Sequence, residues 1–237
     1  MIPLGDENPS KSLPLVMWIL ILLNVLVFLS EFAHGSNGYE QMITAFGLTP
    51  YSIIREGYYL TFFTSMFLHA DVFHLGGNML FLYVFGDNIE DRCGHTSFLV
   101  YYLLSGIGAS ALHIGLDPYS TIPTIGASGA ISGVLAGYVV LFPHARIRTL
   151  VSLGWFIRVA RIPAYLMIGS WFLYQLVYAL FVSESTVAYW AHVGGFIMGL
   201  VLIRLFAHRK QLPGYYPEKS YSYWSSQLKS GLNIVTF

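Results

Sequence analysis

Charged residues are scarce in this chain. Of its 237 residues, 10% are Asp, Glu, Lys or Arg, whereas 55% are hydrophobic. Soluble domains carry about 25% charged residues, so this chain cannot cover itself with a water-compatible surface. Its twelve basic and twelve acidic residues balance, and nothing in the sequence indicates nucleic-acid binding. We therefore expect an integral membrane protein whose partners include membrane lipids but not nucleic acid.

Cysteine is nearly absent. The single Cys93 excludes an internal disulfide framework and, alone, a cysteine metal site. We interpret Cys93 as a small apolar residue that fills space at a helix end, and Glu90, Asp91 and Arg92 just before it as a solvated helix terminus. The sequence predicts no metal and no other cofactor.

The motifs of three hydrolase classes are also missing. No His-Glu pair occurs, so the His-Glu-x-x-His motif of zinc proteases is absent. An intramembrane aspartyl protease needs two aspartates within its membrane spans, and the long apolar runs of this chain offer only Asp87 and Asp91, together at one end. The G-x-S-x-G motif of soluble hydrolases belongs on a strand-to-helix turn, but no strand pattern precedes Ser128, and the next glycine comes one residue early.

Long apolar runs separated by turn residues are abundant. About 20 apolar residues cross a bilayer as a helix, and the chain offers six such runs, near 13–32, 72–91, 96–116, 125–142, 163–182 and 188–207. The predicted fold is all-α, a polytopic six-transmembrane helical bundle. It comprises a short N-terminus (1–12), a six-span domain (13–207) and a tail (208–237). Between the first two spans, His34–Asp71 is expected to form short interfacial helices.

The basic residues orient these spans. Eleven of the twelve Lys and Arg residues fall at the N-terminus, after span two, between spans four and five, or after span six, and only Arg55 does not. The positive-inside rule places these segments, and both termini, in the cytoplasm. Spans two, four and six then run from outside to inside.

Four polar residues occupy the outer ends of these three spans. His74 and Asn78 begin span two, Ser128 begins span four and His192 begins span six. Polar groups inside a membrane are costly, so they usually face the bundle interior and mark a site. A single one could simply hydrogen-bond a neighbouring helix. Four at one depth indicate a functional site.

Small residues recur every four positions on spans four and six. These are Gly129, Gly133 and Gly137 on span four, and Ala191, Gly195 and Gly199 on span six. Such faces let helix backbones approach closely. Ser128 and His192 each stand one position beside such a face, so close packing could bring them within hydrogen-bond distance.

A serine beside a histidine can be a nucleophile. A neutral imidazole can take the hydroxyl proton near pH 7. No acidic residue lies near His192 except Glu184, so we expect a Ser-His dyad without a carboxylate. His74, Asn78 and the backbone N–H of Ser128 could stabilise an oxyanion.

At these residues the sequence resembles the rhomboid family of intramembrane serine proteases. The resemblance rests on HLGGN at His74–Asn78, GASG around Ser128 and AHVGG around His192, in this order on six spans. It covers about residues 13–207. The resemblance implies that Ser128 is the nucleophile and His192 the base, that His74 and Asn78 bind the oxyanion, and that the substrates are single-span or other transmembrane proteins.

Near the motifs, the chain departs from the family's pattern at two positions. Many members of the family carry a Trp-Arg pair where this chain reads GYYLTFF. In some members an aromatic residue one turn after the serine packs on the catalytic histidine, but here that position is Ser132. We therefore expect another aromatic residue to orient His192, either from span five or from the loop before span six, such as Tyr189 or Trp190. A histidine at the position of His69 structures the loop in the family. Possible substrate-lining residues are Gly126, Ala127 and Trp190.

Two other functions remain open. A catalytically inactive rhomboid-like protein would bind transmembrane helices without cutting them, although such relatives typically lose the serine or the histidine. A small transporter would have a polar site at mid-membrane, but no inverted repeat is visible. The expected location is a prokaryotic cell (inner) membrane, with the site open to the extracytoplasmic side. The sequence does not indicate an oligomeric state.

Overall fold

The computed structural model describes residues 1–33, 35–153, 156–182 and 187–207. The predicted tail 208–237 and the loop residues 183–186, including Glu184, lie outside the described residues. The long helices are α1 (Leu15–Ala33), α5 (Val72–Cys93), α6 (His95–Leu116), α7 (Ser128–Leu141), α8 (Ala164–Phe181) and α9 (Tyr189–Phe206). Between α1 and α5 lie α2 (Gly35–Phe46), α3 (Pro50–Glu56), α4 (Thr61–Thr64) and a 3₁₀ turn at Ser65–Phe67.

These six long helices coincide with the six apolar runs of the sequence, and each begins and ends within about three residues of its run. Four of the helices, α1, α6, α8 and α9, are long and apolar enough to cross a membrane. Helix α5 carries four charged residues in its last two turns, and α7 has only 14 residues, or about 21 Å. The chain is thus a mostly helical integral membrane protein, and six crossings remain a prediction.

A three-stranded antiparallel sheet was not predicted, so the all-α description is incomplete. Its strands are β1 (Ile2–Asp6), β2 (Arg146–Leu153) and β3 (Phe156–Pro163), in the order β1-β2-β3. In β2, Ile147 and Thr149 are fully buried whereas Arg146 and Arg148 are exposed, the alternation expected of a strand with one face on the core. The N-terminal segment is therefore part of the packed domain.

The end of α5 differs from the sequence interpretation. Glu90, Asp91 and Arg92 read as a solvated helix terminus, but Glu90 and Arg92 are buried. The Glu90 carboxylate accepts hydrogen bonds from the backbone N–H groups of Val16 and Met17, at 2.8 and 2.7 Å. These bonds satisfy free donors at the start of α1 and place a negative charge at the positive end of its dipole. Cys93 is fully buried, as its interpretation as a space-filling residue requires.

Helices α7 and α9 pack backbone against backbone. A β-carbon on Gly195 would lie 1.9 Å from the carbonyl oxygen of Gly129, and one on Gly199 would lie 2.5 Å from Cα of Gly133. Contacts advance along both helices in the same direction, so the two helices run parallel. The expectation of close contact between the small-residue faces is confirmed. This contact brings the first turns of α7 and α9 together.

Candidate active site

Ser128 is the first residue of α7. The segment before it is fixed by an antiparallel bridge between Leu48 and Thr124 and by a hydrogen bond from Gly126 N–H to the Ser65 carbonyl oxygen, at 2.8 Å. Gly126 adopts φ +119°, which an L side chain rarely tolerates. The chain therefore enters α7 through a turn that only glycine accommodates well, and Ser128 follows that turn.

Ser128 and His192 meet across the contact between α7 and α9. Nε2 of His192 lies 2.8 Å from the Ser128 hydroxyl oxygen, although the two residues are 64 positions apart in sequence. This distance is that of a hydrogen bond between a hydroxyl and an imidazole nitrogen. In this arrangement the imidazole can accept the serine proton.

Helix α8 and the first residue of α9 supply the other contacts of His192. Nδ1 of the imidazole lies 2.8 Å from the side-chain oxygen of Gln175. One helical turn earlier, the Trp171 ring lies 6.0 Å from the imidazole between centroids, at 34°. Tyr189 meets the imidazole edge-on at 6.3 Å. An aromatic residue of span five does contact His192, but sequence reasoning missed Gln175, whose signal was a lone amide within the apolar run WFLYQLVYALF.

His74 and Asn78 lie one turn apart on α5, beside the turn at Gly126. A β-carbon on Gly126 would come within 2.7 Å of His74 Nε2 and 3.6 Å of Asn78 Nδ2. The Asn78 nitrogen is buried without a hydrogen-bond partner among the described residues. An unpaired buried donor is costly unless a ligand or water meets it. These two nitrogens thus lie beside the backbone of Gly126, two residues before Ser128.

The loop before α5 orients His74. The Asp71 carboxylate accepts hydrogen bonds from the backbone N–H groups of Phe73 and His74, at 2.7 and 2.9 Å, and so caps α5. The Ala70 N–H donates to Nδ1 of His74, at 3.4 Å. His69 is fully buried, and its ring meets that of His74 edge-on at 5.0 Å. Burial lowers the pKa of His69 to about 4, so this imidazole is neutral and packs as part of the loop.

A cavity of about 500 Å³ opens over these groups. Ser128, His192, His74 and Asn78 all line it, together with Gly126, Met66, Phe73, Ala109 and Trp171. Two of the three residues expected to line a substrate site lie elsewhere. Ala127 is fully buried in the core, and Trp190 does not line this cavity. Trp171 stands at the cavity instead.

The side chains of the cavity suit acyl-transfer chemistry. They include a hydroxyl with an adjacent base, and two further nitrogens that can donate hydrogen bonds. Within the described ranges, no group of three His, Cys, Asp or Glu residues could hold a metal ion.

Comparisons with known proteins identify the family of this chain. The model of the rhomboid domain family matches residues 56–209, a stretch containing the Ser128, His192, His74 and Asn78 motifs. Rhomboid-like protein 11, chloroplastic, of Arabidopsis thaliana is 27% identical over 85% of this chain and 69% of its own length. Rhomboid protease AarA of Providencia stuartii is 29% identical over 77% of this chain and 69% of its own length.

A third relative matches a shorter segment. Rhomboid protease GluP of Bacillus subtilis is 34% identical over 54% of this chain, and the match spans 25% of GluP. Relatives named as mitochondrial also match, one from Saccharomyces cerevisiae and one from Arabidopsis thaliana. The family match covers well over half of the chain. This protein belongs to the rhomboid family.

Proposed function

We propose that the protein is an intramembrane serine endopeptidase that hydrolyses peptide bonds in or near transmembrane segments of other membrane proteins. The observation that carries the proposal is the 2.8 Å contact between the Ser128 hydroxyl oxygen and His192 Nε2. Among the described residues, the imidazole of His192 is hydrogen-bonded to Ser128 and Gln175 and to no carboxylate, so the proposed catalytic unit is a dyad.

In the first step, the Ser128 oxygen attacks the scissile carbonyl carbon while its proton moves to His192 Nε2. A new C–O bond forms, and the π electrons of the carbonyl pass to its oxygen, which becomes an oxyanion. Donors already in place for this charge lower the barrier more than donors that must reorganise. The backbone N–H of Ser128, His74 Nε2–H and Asn78 Nδ2–H are the proposed donors, because all three residues line the same cavity and the two side-chain nitrogens lie beside Gly126, two residues before Ser128.

In the second step, the tetrahedral intermediate collapses. The C–N bond breaks, and the leaving amine takes the proton from His192. Water then attacks the acyl-serine, again losing a proton to His192 Nε2. The bond between the Ser128 oxygen and the acyl carbon breaks, and the carboxylic product leaves. The Ser128 oxygen takes the proton back from His192, which restores the hydroxyl.

The membrane arrangement belongs to the same proposal. Six crossings with both termini in the cytoplasm place Ser128 near the outer end of α7, with the cavity open to the extracytoplasmic side. The apolar character of α1, α6, α8 and α9 supports membrane crossing. The distribution of basic residues supports the orientation. We propose a prokaryotic cell membrane as the location, which the bacterial relatives support, whereas the chloroplastic and mitochondrial names among the relatives point to organelles as well.

Cleavage of a single-span protein tests the proposal. The purified protein in detergent is incubated with a panel of single-span substrates, beside Ser128→Ala. We expect fragments cut near the outer end of the substrate span with the wild type and none with the variant. Cutting that persists in Ser128→Ala would exclude the serine mechanism. No cutting of a broad panel by the wild type would favour a protein that binds transmembrane helices without hydrolysis.

A further inference from the structure

We propose that Gln175 is a positioning residue for His192, holding the imidazole in the tautomer that leaves Nε2 free to accept a proton. The inference deepens the proposed function and rests on it. Gln175 does not reach Ser128; it acts through the imidazole.

The geometry assigns one role to each imidazole nitrogen. Nδ1 lies 2.8 Å from the Gln175 oxygen and Nε2 lies 2.8 Å from the Ser128 oxygen. An amide oxygen can only accept, so Nδ1 must carry the hydrogen. A neutral imidazole has one N–H, so Nε2 then bears the lone pair. This is the protonation pattern that a base facing Ser128 requires.

The surroundings hold Gln175 in place. Gln175 is 6% exposed, and it follows Trp171 by one turn of α8, so both side chains project from the same face of the helix. The ring of Trp171 packs near the imidazole that Gln175 contacts. Helix α8 therefore fixes both the plane of the His192 ring and its tautomer.

An amide also suits the burial of this contact. A carboxylate here would bring a full charge into an apolar span at a large desolvation cost. A neutral oxygen orients the ring without that cost, although it stabilises the imidazolium less than a carboxylate would.

The two imidazoles of the cavity are held in opposite tautomers. At His74 the Ala70 N–H donates to Nδ1, so the hydrogen is on Nε2, which lies beside Gly126. His192 thus presents a lone pair to the cavity while His74 presents a donor. Gln175 thus keeps the hydrogen of His192 on Nδ1, and the Ala70 N–H keeps the hydrogen of His74 on Nε2.

The first test reads the tautomer without any substrate. Protein labelled with ¹⁵N-histidine is compared with Gln175→Leu by NMR, and His192→Asn identifies the signal of His192. We expect the wild-type signal to show a protonated Nδ1 and an unprotonated Nε2, and Gln175→Leu to show a mixture of both tautomers. An unchanged His192 signal in Gln175→Leu would overturn the proposal.

The second test uses turnover. Gln175→Leu should lower kcat roughly a hundredfold with little change in KM, since a misplaced base costs about that factor. Gln175→Glu keeps a hydrogen-bond acceptor for Nδ1 and should recover much of the rate. The acidic limb of its kcat/KM–pH profile should also move to higher pH, because a negative charge beside Nδ1 stabilises the imidazolium. A purely structural role would not move that limb.

The matched control is Gln41→Leu, which makes the same change at an exposed glutamine of α2 and should leave kcat and the pH profile unchanged. If Gln175→Glu were as slow as Gln175→Leu with an unmoved profile, the positioning role would be wrong. If the wild type showed no turnover, the proposed function would fail, whereas the tautomer measurement would still decide the role of Gln175.

Discussion

The backbone of Gly195 in α9 lies so close to Gly129 in α7 that a β-carbon on Gly195 would come within 1.9 Å of the Gly129 carbonyl oxygen. The atom in the way belongs to the backbone and cannot rotate aside. Gly195→Ala must therefore push the two helices apart, which also separates Ser128 from His192.

We expect Gly195→Ala to lose stability and activity together. Overpacking a core costs about 1–3 kcal/mol, which lowers Tm by roughly 5 °C in a chain of this size. Thermal unfolding in detergent and substrate cleavage are the measurements. Gly169→Ala is the control, because a β-carbon on Gly169 in α8 meets nothing within 4 Å. Equal Tm and rate in the two variants would contradict the role of the α7–α9 contact.

Removal of one proposed oxyanion donor should lower kcat selectively. Asn78→Ala removes a buried nitrogen that has no partner among the described residues, so the fold loses no hydrogen bond that we observe. Removal of one oxyanion donor typically costs about 100- to 1,000-fold in kcat. Steady-state cleavage should show that loss with KM nearly unchanged and Tm within about 2 °C. A raised KM at normal kcat would place Asn78 in substrate binding instead.

Glu90 lies far from the site, and we expect its carboxylate to contribute to the stability of the fold. The Glu90 carboxylate accepts hydrogen bonds from the backbone N–H groups of Val16 and Met17. Glu90→Gln removes its negative charge and turns an amide N–H₂ toward one of these two N–H groups. Loss of a buried charge-assisted hydrogen bond costs about 1–3 kcal/mol. We expect a lower Tm, measured by thermal unfolding.

The control for Glu90 is Glu40→Gln at an exposed position of α2, which should leave Tm unchanged. An unchanged Tm in Glu90→Gln would mean that water replaces the carboxylate at the start of α1.

Asp6 in β1 predicts a pH dependence of stability. Burial raises the pKa of its carboxyl from 3.8 to about 6, although a hydrogen bond from the Tyr138 hydroxyl opposes that shift. The folded state therefore binds more protons than the unfolded state between about pH 4 and pH 6. Stability from this group is greatest below that window and falls as the pH rises through it.

The comparison between the wild type and Asp6→Asn isolates this effect. Other titrating groups also change stability with pH. The lowered pKa of His69 makes stability rise with pH over part of the same range, but this contribution is the same in the wild type and in Asp6→Asn. We expect the unfolding free energy of the wild type to drop by about 1 kcal/mol relative to Asp6→Asn between pH 4 and pH 7. Asp117→Asn, at an exposed position, is the control. Parallel profiles for wild type and Asp6→Asn would contradict a raised pKa at the partly buried Asp6.

The sequence predicted the features that depend on short-range pattern. Six apolar runs predicted six long helices, and the small residues around Gly133 and Gly199 predicted a close helix contact, because both signals repeat within a few turns. That contact made the pairing of Ser128 with His192 predictable. The sheet was missed because β2 lies in a segment read only for its basic residues.

Contacts between distant residues were not predictable. Glu90 meets Val16 and Met17 across more than seventy positions, and nothing local distinguishes it from a solvated helix end. Gln175 contacts His192 only because α8 packs beside α9 with one particular rotation. The sequence shows an amide in an apolar helix, but not the direction in which it points.

The most direct test of the account is covalent labelling of the serine. The protein in detergent is treated with a fluorophosphonate, and the modified residue and the rate are read by mass spectrometry of peptides. We predict one adduct, on Ser128, and a rate at least about a hundredfold lower in His192→Ala at an unchanged Tm. An adduct on another serine, or an equal rate on Ser128 without the imidazole, would contradict the dyad.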